Sequence, residues 1–390
     1  MKIVDVCAFL SPHGGGVKTY IEQKLAIGPR LGHEIVVIAP GDHDAVIERG
    51  PGARIVQLAS PRFPLDRKYW YFDDEPRLYA ALDRDAPDLI EASTPWRSAS
   101  MVGRWSGPAP RALVMHADPL SAYAYRWFGA LLSRETIDRR FEMFWDHLRE
   151  LGQAFDLVVC ASGELQSRLA EGGVANTVLH PMGIEPGLFG PGRRDPEVRR
   201  QLLEVCDLPE EAHLLIAVGR LSPEKRWPMV VDAVAAASRS LPIGLVMLGS
   251  GRQKRRIQAQ IAGNPHIRIL SPERNRGKFA TLLASADALI HGCEAETFCM
   301  AAAEARACGV PVIVPDRGGA ADHAREGAGV TYQAGNAQSA ARAIVDFFAT
   351  VRAVPAAAPD VVTMEDHFRR LFDAYTAVAR RQGADHAQLV

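Results

Sequence analysis

The chain has 390 residues and a mass of 42.5 kDa, enough for two domains or three small ones at roughly 100–200 residues each. Its 45 Lys+Arg against 46 Asp+Glu leave a net charge of −1, which excludes a nucleic-acid binder working by bulk positive charge and equally an acidic solvating tail. Hydrophobic residues at 47% and charged residues at 23% are the proportions of a folded globular enzyme with ample core, so disorder is not expected.

In chain order, Ile3 to Leu10 is an almost continuous apolar run, as a strand buried on both faces requires. Asp5 inside that run, and the lack of a small-residue cleavage site, read as a first strand rather than a signal peptide. Ser11-Pro12-His13-Gly14-Gly15-Gly16 breaks the run. Val17 to Leu31 then has helical spacing with Gly32 as its stop, and Glu34 to Ala39 is a second strand ending at Pro40-Gly41. Further strands are expected at Leu89 to Glu91, Ala112 to His116 and Leu157 to Ala161. The aromatic clusters Tyr69 to Phe72 and Tyr123 to Phe128 read as ordinary packing, with a sugar or lipid contact as the alternative. Ser133 to Glu150 is helix-like with balanced charges, a weak membrane signal. The Pro/Gly-rich stretch Pro181 to Pro196 marks a domain boundary.

The same grammar restarts about 210 residues after the first strand. His213 to Leu221 is a strand, Ser222 to Trp227 a polar loop, and Pro228 a good first helical residue for a helix running to about Arg239. Ile243 to Leu248 is the next strand, ending at Gly249-Ser250-Gly251, and Ile267 to Leu270, Ala288 to His291 and Val310 to Val314 follow. A last helix, Met364 to Arg381, comes after the Ala/Pro-rich linker Pro355 to Pro359. The repetition implies two doubly wound α/β domains, each with its ligand loops at the strand C-termini. The six cysteines show no C-x-x-C spacing, so reduced thiols are expected rather than disulfides or zinc. No apolar run reaches the ~18 residues of a membrane span. The G-x-G-x-x-G spacing is also absent from the glycine loop, which argues against NAD.

Two constellations carry chemistry. Arg220 leaves a strand end and Lys225 stands at the mouth of a helix; two cations there suit a diphosphate and the charge that grows on a leaving phosphate, or are solvated loop charges. Glu296-Thr297-Phe298-Cys299-Met300-Ala301-Ala302-Ala303-Glu304 opens a helix over Met300 to Ala307, with Glu304 on its alanine-rich face. A carboxylate there needs donors, and the vicinal hydroxyls of a ribose supply them; the alternative is a capping acid plus a surface ion pair. The amides of Phe298 to Met300 would face the same pocket.

Gly219 to Lys225 (GRLSPEK) followed by Glu296 to Gly319 (ETFCMAAAEARACGVPVIVPDRGG) resembles the retaining family-4 nucleotide-sugar glycosyltransferases, group 1, at their paired-acid motif. Gly14 to Pro40 is similar to their first loop and helix, His116 stands where they carry an active-site histidine, and His180 to Pro191 is similar to their hinge. The resemblance implies a GT-B architecture of two facing Rossmann-like parallel-sheet domains with the site in their cleft. It places an acceptor-side domain at 1–185, a nucleotide-sugar domain at 186–362 and a C-terminal helix at 363–390 that crosses back. It implies His116, Glu296, Arg220 and Lys225 as catalytic residues. It further implies Gly15, Gly16, Arg220, Lys225, Gly249, Gly251, Phe298, Cys299, Met300 and Glu304 as donor-binding residues: glycines close to the diphosphate or shaping the base pocket, Glu304 on the ribose, Glu296 and His116 on the sugar. The chain departs from the family pattern at Cys299, often Gly, at Ala301, often Pro, at Met182, often Asn, and at Asp322 in place of Glu.

The expected activity is a retaining, metal-independent hexosyl transfer from a nucleoside-diphosphate sugar, GDP-mannose or a UDP-sugar, to a glycan, glycolipid or small-molecule acceptor. No cofactor and no nucleic-acid partner are expected. The location is cytoplasmic, with peripheral contact at the inner membrane face implied by the resemblance. Competing readings are an epimerase, which turns over donor without acceptor, and a non-catalytic sugar- or nucleotide-binding protein, which releases no nucleotide.

Overall fold

A computed structural model of the chain describes residues 1–10, 16–64, 67, 69–129, 131–326, 329–350 and 361–388. It divides into two compact units, one made of Met1–Leu120, Trp127–Pro181 and the segment from Met364 on, the other of Ser121–Arg126 and Met182–Thr363.

The first unit begins with β1 (Lys2–Cys7), α1 (Gly16–Ile27), β2 (Glu34–Gly41), β3 (Ala45–Gly50) and β4 (Ala53–Ala59). It continues through α2 (Glu75–Asp85), β5 (Leu89–Ser93), α3 (Arg97–Arg104), β6 (Arg111–Val114), α4 (Tyr125–Phe128, assigned in part to the second unit), α5 (Arg134–Arg140) and α6 (Glu142–Ala154). It closes with β7 (Leu157–Cys160), α7 (Gly163–Glu171) and β8 (Thr177–Leu179). The sheet order is β3-β4-β2-β1-β5-β6-β7-β8, parallel throughout except for the edge hairpin β3–β4. That antiparallel strand is a departure from the all-parallel expectation, produced by the turn at Gly50-Pro51-Gly52. The first helix is also shorter than its spacing suggests, because Gly28-Pro29 stops it at Ile27.

The second unit holds α8 (Pro196–Val205), β9 (His213–Val218), α9 (Trp227–Ala237), β10 (Ile243–Leu248), α10 (Lys254–Ile261), β11 (Ile267–Leu270) and α11 (Arg276–Ala284). It continues with β12 (Ala288–Ile290), α12 (Met300–Ala307), β13 (Val312–Pro315), α13 (Gly319–Arg325), β14 (Val330–Tyr332) and α14 (Ala337–Thr350). Its parallel sheet runs β11-β10-β9-β12-β13-β14. Leu215, Val230, Val234, Leu245, Ile290 and Ile344 form the heart of one face, all essentially buried. The strand order reverses direction between β9 and β12, and parallel α/β sheets open a ligand crevice at the C-terminal ends of such a pair.

The chain returns to the first unit through α15 (Met364–Gln388), whose Met364, Phe368, Leu371, Phe372 and Tyr375 are buried. Beneath it lies a fully buried polar cluster. Lys24 reaches Asp5 at 2.8 Å and Glu91 at 2.5 Å, Ser93 donates to Asp5 (2.9 Å), and Tyr375 donates to Glu91 (2.7 Å). Burial pushes the Glu91 carboxyl up to about 7 against the pull of the Lys24 ammonium. The Pro355–Pro359 linker lies outside the described residues. No helix among the described residues is long and apolar enough to cross a membrane. All six cysteines are unpaired and buried. In the clusters read as packing, Phe72 and Tyr125 are buried, but Trp127 is 58% exposed and Tyr123 46%, so the second cluster is only partly core.

Candidate active site

Lys225 and Glu296 meet at the β9/β12 reversal. The loop after β9 tightens into a single turn over Pro223–Lys225, and the loop after β12 runs from His291 to Cys299. The Lys225 ammonium pairs directly with Glu296 Oε1, both side chains being only partly exposed, and His291 Nε2 stands 3.1 Å from the same oxygen. Burial by itself would raise the Glu296 carboxyl, but Lys225 and then His291 outweigh it and hold it well below the usual carboxylate range. Burial would likewise lower Lys225, and the Glu296 charge more than reverses that. Both groups are therefore ionised across the working pH range. Beside them Arg226, in a left-handed conformation at φ 50°, donates Nε–H to Glu294 (2.6 Å) and grips its other oxygen with a second nitrogen. Two ion pairs thus tie the two loops together.

Close backbone approach sets the shape of the neighbouring loops. A Cβ at Gly249 would lie 2.2 Å from the Gly219 carbonyl oxygen, and one at Gly251 2.4 Å from the Leu221 oxygen. Glycine at these two positions lets the turn after β10 sit against the turn carrying Arg220; Leu221 N–H donates to the Ser250 oxygen (2.9 Å). Arg220 itself is 67% exposed, 3.3 Å from Glu224, while its carbonyl accepts from the Trp227 indole (2.6 Å).

The acidic loop ends in α12. Cys299 caps that helix at φ 73°, a conformation that costs a residue bearing a Cβ, and its side chain makes no capping bond. His323 fixes the loop from α13. The Phe298 carbonyl can only accept, so His323 Nε2–H donates to it (2.8 Å), which leaves Nδ1 to accept from Arg306 (3.0 Å). Burial, and then Arg306, lower this histidine to about 4. The loop carbonyl of Glu296 accepts from the Gly319 amide at 2.7 Å. Glu304, 5% exposed, faces Arg276 from α11 at 2.6 Å; the same guanidinium approaches Glu185 (3.5 Å) and lies 5.1 and 5.3 Å from the Phe189 and Phe279 rings. Burial raises the Glu304 carboxyl, and Arg276 opposes that rise.

Four of the expected residues therefore share one loop and the start of its helix: Glu296, Phe298, Cys299 and Met300, with Glu304 one turn further on. Lys225 joins them by direct contact, and Arg220, Gly249 and Gly251 lie on the adjoining turns. His116 and Gly16 belong to the first unit. His116 follows β6, half-buried, with its ring 4.6 Å from that of Tyr20; burial lowers its imidazole to about 4, so it is neutral at working pH. Gly16 opens α1, and a Cβ there would meet nothing within 4 Å. His13, Gly14 and Gly15 lie outside the described residues.

Sequence reasoning passed over His291, Arg226, Glu294, Arg276 and His323. The signal that picked His116, a histidine closing an apolar strand, applies equally to His291. The others carry no local signal, since their partners lie far along the chain.

The chain matches the profile of "Glycosyltransferase Family 4" over residues 14–188 and that of "Glycosyl transferases group 1" over residues 198–350. It is 31% identical over 323 residues to a GDP-mannose-dependent alpha-(1-6)-phosphatidylinositol dimannoside mannosyltransferase of Mycobacterium tuberculosis, covering 80% of this chain and 79% of that one. The chain belongs to the family-4, group 1 glycosyltransferases. A GDP-mannose-dependent alpha-mannosyltransferase of Corynebacterium glutamicum is 27% identical over 335 residues, 84% of this chain and 75% of its own. Among solved structures, a sucrose-phosphate synthase from Thermosynechococcus elongatus superposes with a TM-score of 0.71 at 20% identity, covering 100% of this chain and 99% of the other. The fold is that of GT-B glycosyltransferases, and the chain is a glycosyltransferase acting with a nucleotide-sugar donor in glycan biosynthesis.

Proposed function

We propose that this glycosyltransferase moves mannose from GDP-mannose, with retention at the anomeric carbon and without a metal or other cofactor, to a glycan or lipid-linked acceptor. The observation that carries the reading is the Lys225–Glu296 pair at the β9/β12 reversal, where an ammonium and a carboxylate are both held ionised. Lys225 and Arg220 meet the diphosphate, where the family's cations stand. The free amides at the start of α12 add donors to it. Glu304 takes the ribose hydroxyls, and Glu296 takes hydroxyls of the sugar. His116, kept neutral, donates to or accepts from the sugar near the reacting carbon. The choice of GDP-mannose draws on the names of the relatives, which state that donor.

Retention requires the acceptor oxygen to attack the face the diphosphate leaves. The bond from the anomeric carbon to the phosphate oxygen breaks as the new glycosidic bond forms, and the acceptor proton passes to the departing phosphate oxygen. Positive charge from Lys225 and Arg220 stabilises the growing negative charge on that oxygen. A lipid-linked acceptor places the enzyme peripherally at the cytoplasmic face of a membrane, a point that sedimentation with vesicles tests.

The test is a donor panel of GDP-mannose, UDP-glucose, UDP-galactose and ADP-glucose, read as nucleotide release with and without acceptor, in the presence of EDTA. Mannose transfer that survives the chelator, with an α product by NMR, supports the reading; an inverted anomer sinks the mechanism, and selective use of a UDP-sugar sinks the donor assignment.

A further inference from the structure

We propose that His291, Glu296 and Cys299 form a binding site for a single soft divalent cation of the zinc class. One imidazole nitrogen, one carboxylate oxygen and one Sγ lie within 4.8 Å of one another at the end of β12. Nitrogen, oxygen and sulfur donors are the set that Zn²⁺ takes, at bonds of roughly 2.0–2.3 Å, so closing the site needs a shift of about 1 Å in side chains of which Glu296 has a rotatable stem.

The second observation is the state of His291. Its ring is 1% exposed, wedged edge-on to Trp227, and neither ring nitrogen has a hydrogen-bond partner among the described residues, although Nε2 stands 3.1 Å from Glu296 Oε1. Buried polar nitrogens are ordinarily paired. The third is Cys299, which brings a thiol into the cluster although its backbone adopts φ 73° and glycine would sit there without strain.

The rival for the site is Lys225. A cation bound to Glu296 displaces the Lys225 ammonium from that carboxylate, and bonding to sulfur releases the thiol proton of Cys299. A dication replaces one ammonium contact and one proton, leaving the charge of the cluster close to balanced. Binding at this place and use of Lys225 and Glu296 on a sugar nucleotide exclude one another, so the cation is an inhibitor, not a cofactor.

The experiment uses the full chain without a histidine tag and Cd²⁺ as the probe, followed by the ultraviolet charge-transfer band of a cadmium–thiolate bond, with Zn²⁺ as competitor and no nucleotide present. One equivalent of Cd²⁺ raising the band, displaced by Zn²⁺, is expected. Cys299→Ala removes the band and weakens Zn²⁺ binding by at least roughly 10- to 100-fold, the loss that even an outer-shell partner of a metal ligand produces. Cys299→Gly, which relieves the backbone strain, gives the same loss if alanine destabilises the fold. Cys293→Ala, at the neighbouring thiol, leaves the band in place. No band in the parent chain, or an undiminished band in both Cys299 variants, overturns the site whatever the donor turns out to be.

Discussion

Lys225 and Glu296, 71 residues apart in the chain, are joined by a direct ion pair across the strand-order reversal of the second unit. Each holds the other in its charged form in a place where burial would favour the neutral one. The pair suits the proposed substrate, which carries a diphosphate at one end and hydroxyls at the other.

Lys225→Ala and Glu296→Gln should each lower kcat/KM by on the order of 10²-fold or more, the scale of losing one charged contact to a transition state. Because the two act as one unit, the double variant should lose much less than the product of the single losses. Steady-state kinetics of the three variants decide this, and multiplicative losses would show two independent residues.

Glu304→Gln should raise the donor KM by about 10- to 100-fold, since a charged hydrogen bond contributes roughly 1.5–3 kcal/mol. Arg276→Ala should act on stability instead, because it leaves the buried Glu304 carboxyl without its partner. Combined, the two changes should be less destabilising than Arg276→Ala alone, as a urea titration of the three proteins would reveal.

The buried cluster of the first unit predicts a stability that falls with rising pH. Glu91 has a folded pKa near 7 against about 4.5 unfolded, so between those values the folded chain binds more protons and loses stability as pH rises. Glu91→Gln keeps an acceptor for Tyr375 and removes the surplus negative charge. Its unfolding free energy should therefore be flatter than that of the parent between pH 5 and 8. Parallel curves would mean that Glu91 stays ionised.

The histidine pinning the acidic loop works in the opposite direction. His323 titrates near 6.5 unfolded and about 4 folded, so the unfolded chain binds more protons between those values and stability falls as pH drops from 6.5 toward 4. Its full effect is on the order of 3 kcal/mol at pH 4. Unfolding midpoints at pH 7 and 4.5 should lie further apart in the parent than in His323→Gln, with equal spacing counting against the assignment.

Much of the chain was legible without coordinates. The strand Ile243 to Leu248 has the observed bounds, since a strand buried on both faces must be apolar along its length. The hairpin β3–β4 carries a turn signal in Gly50-Pro51-Gly52, but its flanks, Val46-Ile47-Glu48-Arg49 and Arg54-Ile55-Val56-Gln57, do not alternate apolar with polar, so no strand period announces it. At the site, the two acids and Lys225 stand in a recognisable local order, but their partners do not. Arg276 reaches Glu304 over 28 residues and His323 reaches Phe298 over 25, separations at which no periodicity speaks.

The α/β class, the duplication, the family and the chemical types present all follow from apolar patterning and short ordered motifs. Which charge faces which is set by packing: Lys225 on Glu296, Arg276 on Glu304, Arg226 on Glu294, and Lys24 between Asp5 and Glu91. The reason is physical. A charge is held ionised or neutral by the few groups within several ångströms of it and by the water it has lost, and both are set by how strands and loops distant in sequence are packed together.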